Sequence, residues 1–315
     1  MAQWTAETNS ALTLSLVRAP KDKEVLAEDE SYEGFHPTFT YPIYGEDEKV
    51  YGYSDLVIDL RFASGSLAYY LDIRYSASLN GSVAVDDVRG MLEKFIPPDY
   101  YKTEEGFLGR VEEEADTFRP LGDKIYSYTR PAPGRGKGKG TGVALEEGDE
   151  DAVVFEAYHL LFDGLFVLLY IEGGSYINED EESWEFVVLY EKRKRRTTPV
   201  VETYHFVGYS SLYPFYCFPD KVRLRLSYQV NSSSSRHMNT KAMAVRSPFT
   251  LSFHKLTCHS AGLYNAIYNY VLAQPSIAEL TIEDPAEAFE DLRDRNDLKM
   301  LLGHEQFMRE GFGDT

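Results

Sequence analysis

Hydrophobic and polar residues alternate along this chain with two different periods, which predicts a mixture of strands and helices. A period of two is typical of half-buried strands, and apolar residues spaced three and four apart are typical of amphipathic helices. Strands are predicted at residues 57–62, 69–75, 124–129, 184–191, 204–213, 221–227 and 277–283. Helices are predicted at residues 86–95, 152–170, 263–272 and 286–302. The expected fold class is therefore α+β.

Two of the predicted helices carry boundary signals. Asp86 is the predicted N-cap of the first helix, and Pro97–Pro98 ends it. Asp284 is the predicted N-cap of the last helix, and Pro285 occupies its first position, where a backbone N–H would have no partner anyway. These signals place Glu283 at the end of a strand, directly before a helix.

A change of composition divides the chain. Residues 130–142 (RPAPGRGKGKGTG) have almost no apolar side chains, and acidic residues follow from Glu146. Such runs of Pro, Gly and Lys are typical of linkers. The predicted divisions are a flexible tail (1–30), an N-terminal mixed α/β domain (31–130), a linker (131–151) and a C-terminal core (152–315).

Composition and charge narrow the class of protein. The hydrophobic fraction is 43% and the formal net charge is −19. This charge repels nucleic-acid phosphates and attracts polycations, although an acidic surface also simply favours solubility. Because only Cys217 and Cys258 are present, a four-cysteine zinc site is excluded and no metal is expected. The longest apolar run is interrupted by Asp163 and Gly164, and the start of the chain lacks a secretion signal. An intracellular protein without a membrane span is therefore expected.

Five segments of the chain carry a specific resemblance. They are HPTFTYPIYGEDE (36–48), YGYSDLVIDLRFASGSL (51–67), FVLLYIEGGSYI (166–177), YSSLYPFYCFPDKVRLRLS (209–227) and LTIEDPAEAFEDLRDRNDL (280–298). Together they resemble the type B histone acetyltransferase catalytic subunits. The resemblance implies a GNAT acyl-CoA N-acyltransferase core over residues 152–315, with acetyl-CoA as co-substrate and the tail of newly synthesised histone H4 as acceptor. It also implies a β-propeller histone chaperone subunit as partner, and a location in the cytoplasm and nucleus.

The catalytic residues are predicted from this resemblance. A lysine amine has a pKa of about 10.4, so a base must remove a proton before the amine can attack a thioester. Glu283 matches the general base of the family, Asp284 lies beside it, and Glu172 matches a third acid near the lysine channel. The alternatives are that Asp284 only caps the last helix and that Glu172 only ends the preceding helix.

Two segments match the family's contacts with the histone tail. Glu46, Asp47 and Glu48 would present anions to the basic tail, and Leu212, Tyr213 and Pro214 would line the groove with aromatic and backbone surface. The alternative for the three acids is a solvated acidic turn, in which each exposed ion pair would contribute little.

The chain departs from the family at the acetyl-CoA loop. The resemblance implies that a strand and then a Gln-x-x-Gly-x-Gly loop follow Ser227, and backbone N–H groups at the helix start after such a loop would bind pyrophosphate. Residues 228–261 instead form an anomalous segment without Asp or Glu. Two origins are open, a mis-spliced transcript and a lineage-specific basic loop. The remaining cofactor-binding positions are predicted to be Ser260, Ala261, Gly262 and Ala286.

The damaged loop leaves rival functions open. One is a histone-tail-binding protein whose catalysis is impaired, and another is a small-molecule acetyltransferase, which would leave the N-terminal domain unexplained. GRGKGKG (134–140) is interpreted as a flexible basic linker, with Lys137 or Lys139 as an internal pseudosubstrate or autoacetylation site in the alternative. KRKRR (192–196) is either a nuclear import signal or a charged turn between strands.

Overall fold

The fold is built from thirteen strands and nine α-helices in the part of the chain that the computed structural model describes. That part comprises residues 2–26, 31–79, 85–131, 152–160, 165–170, 183–195, 197, 200–231, 253–285 and 287–313. The strands are β1 (Thr5–Glu7), β2 (Leu12–Val17), β3 (Lys49–Tyr51), β4 (Tyr53–Ser54), β5 (Val57–Ala63), β6 (Tyr69–Arg74), β7 (Ala77–Ser78), β8 (Asp123–Pro131), β9 (Ala152–Leu160), β10 (Glu185–Lys194), β11 (Glu202–Cys217), β12 (Lys221–Asn231) and β13 (Ile277–Ile282). The helices are α1 (Thr8–Ala11), α2 (Pro20–Lys23), α3 (Tyr41–Tyr44), α4 (Val88–Leu92), α5 (Glu104–Thr117), α6 (Leu165–Tyr170), α7 (Phe253–Ala273), α8 (Glu287–Leu302) and α9 (Glu305–Phe312), and a 3₁₀ turn covers Ala2–Trp4. The predicted α+β class is confirmed.

A six-stranded sheet forms the centre of the molecule, in the order β13-β12-β11-β10-β9-β8. All neighbours are antiparallel except β12 and β13, which are parallel. Helices α7 and α8 cover one face, where Leu189, Leu212 and Leu226 pack with Leu263 and Phe289. The N-terminal region and α6 cover the other face. Because both faces are buried, the central strands are mostly apolar on both sides, and polar side chains such as Glu191 and His205 are buried with them.

The first thirty residues do not form the predicted flexible tail. Strand β2 pairs in parallel with β5, which pairs in turn with β6, and Leu12, Leu14 and Leu16 are buried in the core. The apolar run LTLSLV is short and lies between polar residues, so the average composition of residues 1–30 concealed it. Its partner strand lies more than forty residues away in the sequence, and only that pairing gives the run a sheet to join.

The predicted helix at residues 152–170 is also wrong. Its first half is strand β9, and only its last six described residues form helix α6. Val153 and Phe155 face α7, whereas Tyr158 packs on the N-terminal side. A strand that is buried on both faces has no clear alternation, so its apolar run cannot be told from a buried helix by periodicity.

Several helix boundaries differ from the prediction. Asp87, not Asp86, caps α4 by accepting a hydrogen bond from the Gly90 N–H at 2.9 Å, while Asp86 accepts from the Tyr51 N–H at 2.7 Å. Helix α5 was missed, although Thr103 caps it by accepting from the Gly106 N–H. Helix α7 begins at Phe253, ten residues before its predicted start.

The start of α8 is a further correction. The helix begins at Glu287, so Pro285 is not its first residue and Asp284 lies too early to be its N-cap. Asp284 has a φ of 38°, which lies outside the extended conformation that N-cap residues usually adopt. The chain therefore turns sharply between β13 and α8.

A buried ionic network joins the N-terminal region to the central sheet. The Arg18 guanidinium donates to Glu191 at 2.8 Å, and Arg193 donates to the same carboxylate at 2.7 Å. Burial alone would raise the pKa of Glu191, but the two adjacent guanidinium groups outweigh it and hold that pKa well below its usual range. Arg195 pairs with Asp22 of α2. The Arg18–Glu191 and Asp22–Arg195 pairs therefore join residues in or next to β2 and α2 to residues in or next to β10.

This network also corrects the interpretation of KRKRR. Lys192–Lys194 belong to β10 and do not form a turn, and the side chains of Arg193 and Arg195 are buried in ion pairs. An import receptor needs an extended segment with exposed basic side chains. In the folded chain, Arg193 and Arg195 do not offer them, whereas Lys194 is exposed and Arg196 lies outside the described residues.

We predict that Glu191→Gln lowers the free energy of unfolding by about 3–5 kcal/mol, because it removes the buried negative charge to which the Arg18 and Arg193 guanidinium groups donate. Urea denaturation followed by circular dichroism measures the loss. The matched control is Glu279→Gln, which breaks the half-exposed pair with Arg223 and should change stability by less than about 1 kcal/mol. Equal losses in the two variants would contradict a special role for the buried network.

Candidate functional site

The candidate site lies where β12 and β13 separate. Their parallel pairing runs from Val222 with Ile277 to Leu226 with Ile282, and the Glu283 N–H still donates to the Leu226 carbonyl at 3.0 Å. Strand β12 then continues along β11 to Asn231, while the chain leaves β13. We call this separation the fork. It leaves a stretch of β12 backbone that β13 does not pair.

A β-bulge lies at the fork. The pairing of β11 with β12 steps from Ser211 with Tyr228 to Leu212 with Leu226, so Ser227 is an extra residue in β12. A bulge bends its strand and increases the local twist, and bulges are common next to active sites. Here the bulge lies directly after Leu226, the last residue of β12 that pairs with β13.

The structure places Glu283 and Asp284 together at the fork. The Glu283 side chain is partly buried, and its backbone is fixed by the bond to Leu226. The Asp284 side chain is exposed, and the positive φ of Asp284 begins the turn towards α8. Glu172 lies outside the described residues. Helix α6, which ends at Tyr170, contacts β12.

The predicted cofactor-binding residues are not at a helix start. Ser260, Ala261 and Gly262 lie inside α7, and Ser260 is completely buried. A methyl group added to Gly262 would overlap the ring of Tyr128 on β8, so this glycine allows α7 to approach the sheet closely. Ala286 lies outside the described residues. The structure therefore gives Gly262 a packing role inside α7, and its role in cofactor binding remains a prediction.

The three predicted tail-binding acids have different surroundings. Glu46 and Asp47 are exposed, whereas the Glu48 carboxylate is already bonded inside the protein. It accepts from the Thr40 N–H at 2.7 Å, the Tyr41 N–H at 3.2 Å and the Asn9 side-chain amide at 2.7 Å. Glu48 therefore fixes the start of α3, and only its two neighbours can present free carboxylates to a ligand.

The second predicted tail-binding segment lies at the end of β11. Leu212 is completely buried and faces α7, so its side chain does not line a surface groove. Tyr213 lies on the opposite face, with its ring 5.0 Å from Trp184 and 4.9 Å from Phe215, measured between ring centres. Pro214 is partly buried. Trp184 and Phe215 were not predicted, although the density of aromatic residues in YPFYCF was a signal for them.

Helix α6 contacts both the N-terminal segment that carries the acids and strand β12 of the fork. The Thr38 and Phe39 N–H groups donate to the Leu169 carbonyl of α6 at 2.9 and 3.0 Å, and the Tyr170 hydroxyl donates to the His36 carbonyl. Helix α6 contacts α3 and also β12. The segment with Glu46 and Asp47 is thus joined to the sheet through α6.

Other kinds of site find no support among the described residues. They contain no group of three metal-ligating side chains, and none of the described helices is long and apolar enough to cross a membrane. A cavity of about 480 Å³ is lined by Tyr69, Tyr100, Arg110, Phe118 and Tyr190 among others, but by none of the predicted site residues.

We predict that Gly262→Ala destabilises the protein by about 1–3 kcal/mol, because the added methyl group displaces Tyr128. The control is Gly109→Ala in α5, where nothing lies within 4 Å of the new methyl group. This variant should gain up to about 1 kcal/mol from helix propensity. Thermal unfolding compares them, and an unchanged midpoint for Gly262→Ala would contradict the packing role.

We predict that Glu48→Gln lowers stability by about 1–3 kcal/mol, because an amide nitrogen would then face one of the donors that the carboxylate now accepts. Asp47→Asn is the control, since this neighbour is exposed and should change stability by less than about 0.5 kcal/mol. Denaturant titration measures both. If Glu48→Gln were as stable as the wild type, the internal hydrogen bonds of Glu48 would not contribute to stability, and Glu48 would be grouped with the free surface acids Glu46 and Asp47.

Comparison with known proteins identifies the family. Residues 4–172 match the family profile described as "Histone acetyl transferase HAT1 N-terminus". The chain is 47% identical to a protein of Cryptococcus neoformans, covering 96% of this chain and 72% of that protein. It is 38% identical to one of Mycosarcoma maydis, covering 95% of this chain and 65% of that protein, and 29% identical to one of Homo sapiens, covering 98% and 67%. Each of the three is named "Histone acetyltransferase type B catalytic subunit". The chain belongs to the family of type B histone acetyltransferase catalytic subunits.

Proposed function

We propose that this chain transfers an acetyl group from acetyl-CoA to a lysine in the N-terminal tail of newly synthesised histone H4. The observation that carries the proposal is the fork, where a partly buried Glu283 stands at the point at which β12 and β13 separate. Membership of a family whose relatives are named histone acetyltransferases supports the same reaction.

Glu283 is the proposed general base. A lysine reaches the site as an ammonium ion, because its pKa of about 10.4 lies far above neutral pH. The Glu283 carboxylate takes one proton from it, and the neutral amine can then attack the acyl carbon. The Glu283 N–H donates to the Leu226 carbonyl of β12, so the backbone position from which the carboxylate extends is fixed. Asp284 and Glu172 remain proposed as further acids of the site.

Acetyl-CoA, when bound, supplies the thioester carbonyl that the amine attacks and the thiol that leaves. The described residues fit one end of this molecule. Beyond Leu226, the β12 backbone has an edge that β13 does not pair, and such an edge offers N–H and C=O groups to an extended pantetheine arm. For the pyrophosphate end of acetyl-CoA, the described residues offer no glycine-rich helix start, because residues 260–262 lie inside α7.

The acceptor is proposed to be the basic H4 tail. Glu46 and Asp47 are exposed, and the chain carries a formal net charge of −19, which favours the approach of a polycation. Exposed ion pairs contribute little one by one, so these acids would guide the tail rather than hold it. Tyr213 offers an aromatic surface on the same side of the sheet.

A β-propeller histone chaperone subunit is the proposed partner, and the cytoplasm and nucleus are the proposed locations. No direct contact with nucleic acid is proposed, because the net charge would repel phosphates. Arg193 and Arg195 are buried, so an import signal at KRKRR would have to use its other basic residues.

A tail-binding protein with impaired catalysis is the weaker alternative. The relatives carry the name of a catalytic subunit, and they are similar over nearly all of this chain. The fork is also present despite the anomalous segment that follows Ser227. Both observations favour an enzyme.

We expect the wild-type chain to transfer label from acetyl-CoA to an H4 tail peptide, and Glu283→Gln to lower kcat by about 10²–10⁴-fold, because the amine would lose its base. The matched control is Glu290→Gln, an exposed acid of α8, which should keep full activity. Both variants should unfold at the wild-type temperature. Binding of the peptide by the wild-type chain without transfer would favour the tail-binding alternative. Full activity of Glu283→Gln would remove this residue from the mechanism.

A further inference from the structure

Two consecutive serines in β11 have an unusual environment. Ser210 and Ser211 are both 0% exposed, and the Oγ atom of each has no hydrogen-bond partner among the residues that the structure describes. A hydroxyl that is buried without a partner costs about 1–3 kcal/mol, so nearly all buried side-chain polar groups are paired. Alanine would fill either position without that cost. Fold stability therefore does not explain why serine occupies both positions, and at least one of the two hydroxyls is expected to have a functional role.

The two serines face opposite sides of the sheet. Side chains alternate along a strand, and β11 pairs with β10 in regular register here, with Val187 opposite Ser210 and Phe186 opposite Ser211. Val187 belongs to the core beneath α7, whereas Phe186 belongs to the core beneath the N-terminal region. Ser211 thus shares its face with Tyr213, and Ser210 shares the α7 face with Leu212.

Ser211 lies next to the fork. It pairs with Tyr228, the first residue of β12 after the bulged Ser227, and the nearby Leu226 carbonyl holds the Glu283 N–H. Neighbouring strands are about 4.8 Å apart, so the Ser211 backbone lies about 10 Å, or two strand spacings, from that of Glu283. A side chain from each position can reach an amine placed between them.

We propose that Ser211 contacts the acceptor lysine, its Oγ accepting a hydrogen bond from the lysine amino group while Glu283 takes the proton. The inference rests on the proposed acetyl transfer. Such a bond would turn the nitrogen lone pair towards the acyl carbon and would give the buried hydroxyl a partner when the tail is bound. Ser210 has no part in the reaction, because it faces α7.

Ser211→Ala tests this, with Ser210→Ala as the matched control, since both variants remove one buried and unpartnered hydroxyl. Ser211→Ala should lower kcat/KM for the H4 tail peptide about tenfold, the effect of one hydrogen bond. Its KM for acetyl-CoA should stay unchanged. Ser210→Ala should keep wild-type kinetics. Neither variant should unfold at a lower temperature than the wild type.

The outcomes separate the inference from the proposed function. Unchanged kinetics of Ser211→Ala, in a wild-type background that transfers acetyl groups, would overturn the inference alone. Equal losses of activity in both variants would also overturn it, because a general effect on the core would then explain them. Absence of transfer by the wild-type chain would overturn the proposed function and the inference together.

Discussion

The burial of both faces of the central sheet is the constraint on which the rest of the structure depends. Helices α7 and α8 cover one face, and β2, β5, β6 and α6 cover the other. Every strand between them must be apolar on both sides, or must pair whatever charge it carries. Glu191 shows the second case, because its carboxylate is stable in the interior only beside Arg18 and Arg193. The same interior makes the Ser211 hydroxyl costly, because it has no hydrogen-bond partner among the described residues.

The fork follows from how the strands of this sheet pair. Strand β12 keeps its hydrogen bonds to β11 as far as Asn231, but β13 ends at Ile282. The bulge at Ser227 bends β12 at the same level, and the positive φ of Asp284 turns the chain away on the other side. Glu283 is therefore held at the end of β13 and beside the edge of β12 that β13 does not pair. This arrangement places an acid where an extended ligand can pair with backbone groups.

Neighbouring acids in this chain have different roles because their surroundings differ. Glu48 accepts three hydrogen bonds from Asn9, Thr40 and Tyr41, so it stabilises the acidic segment from within. Glu46 and Asp47 point to solvent and remain available to a basic partner. Their position relative to the fork depends on the bonds that join residues 36–39 to α6. Of these three consecutive acids, Glu48 therefore stabilises the turn, and Glu46 and Asp47 form its acidic surface.

The sequence by itself determined the α+β class, most central strands and the family, because these depend on local periodicity and on segments that match in order. It also indicated Glu283 through the resemblance of residues 280–298 to the family, and its position at a strand end before a helix start could be recognised locally. Only the tertiary structure decided that β2 belongs to the core, that residues 152–160 form a strand and that Gly262 packs against Tyr128. It likewise separated Glu48 from Glu46 and Asp47, and buried Arg193 and Arg195. Each of these depends on partners far away in the sequence, and local composition carries no information about which distant residue will supply a hydrogen bond, a counter-charge or a packing surface.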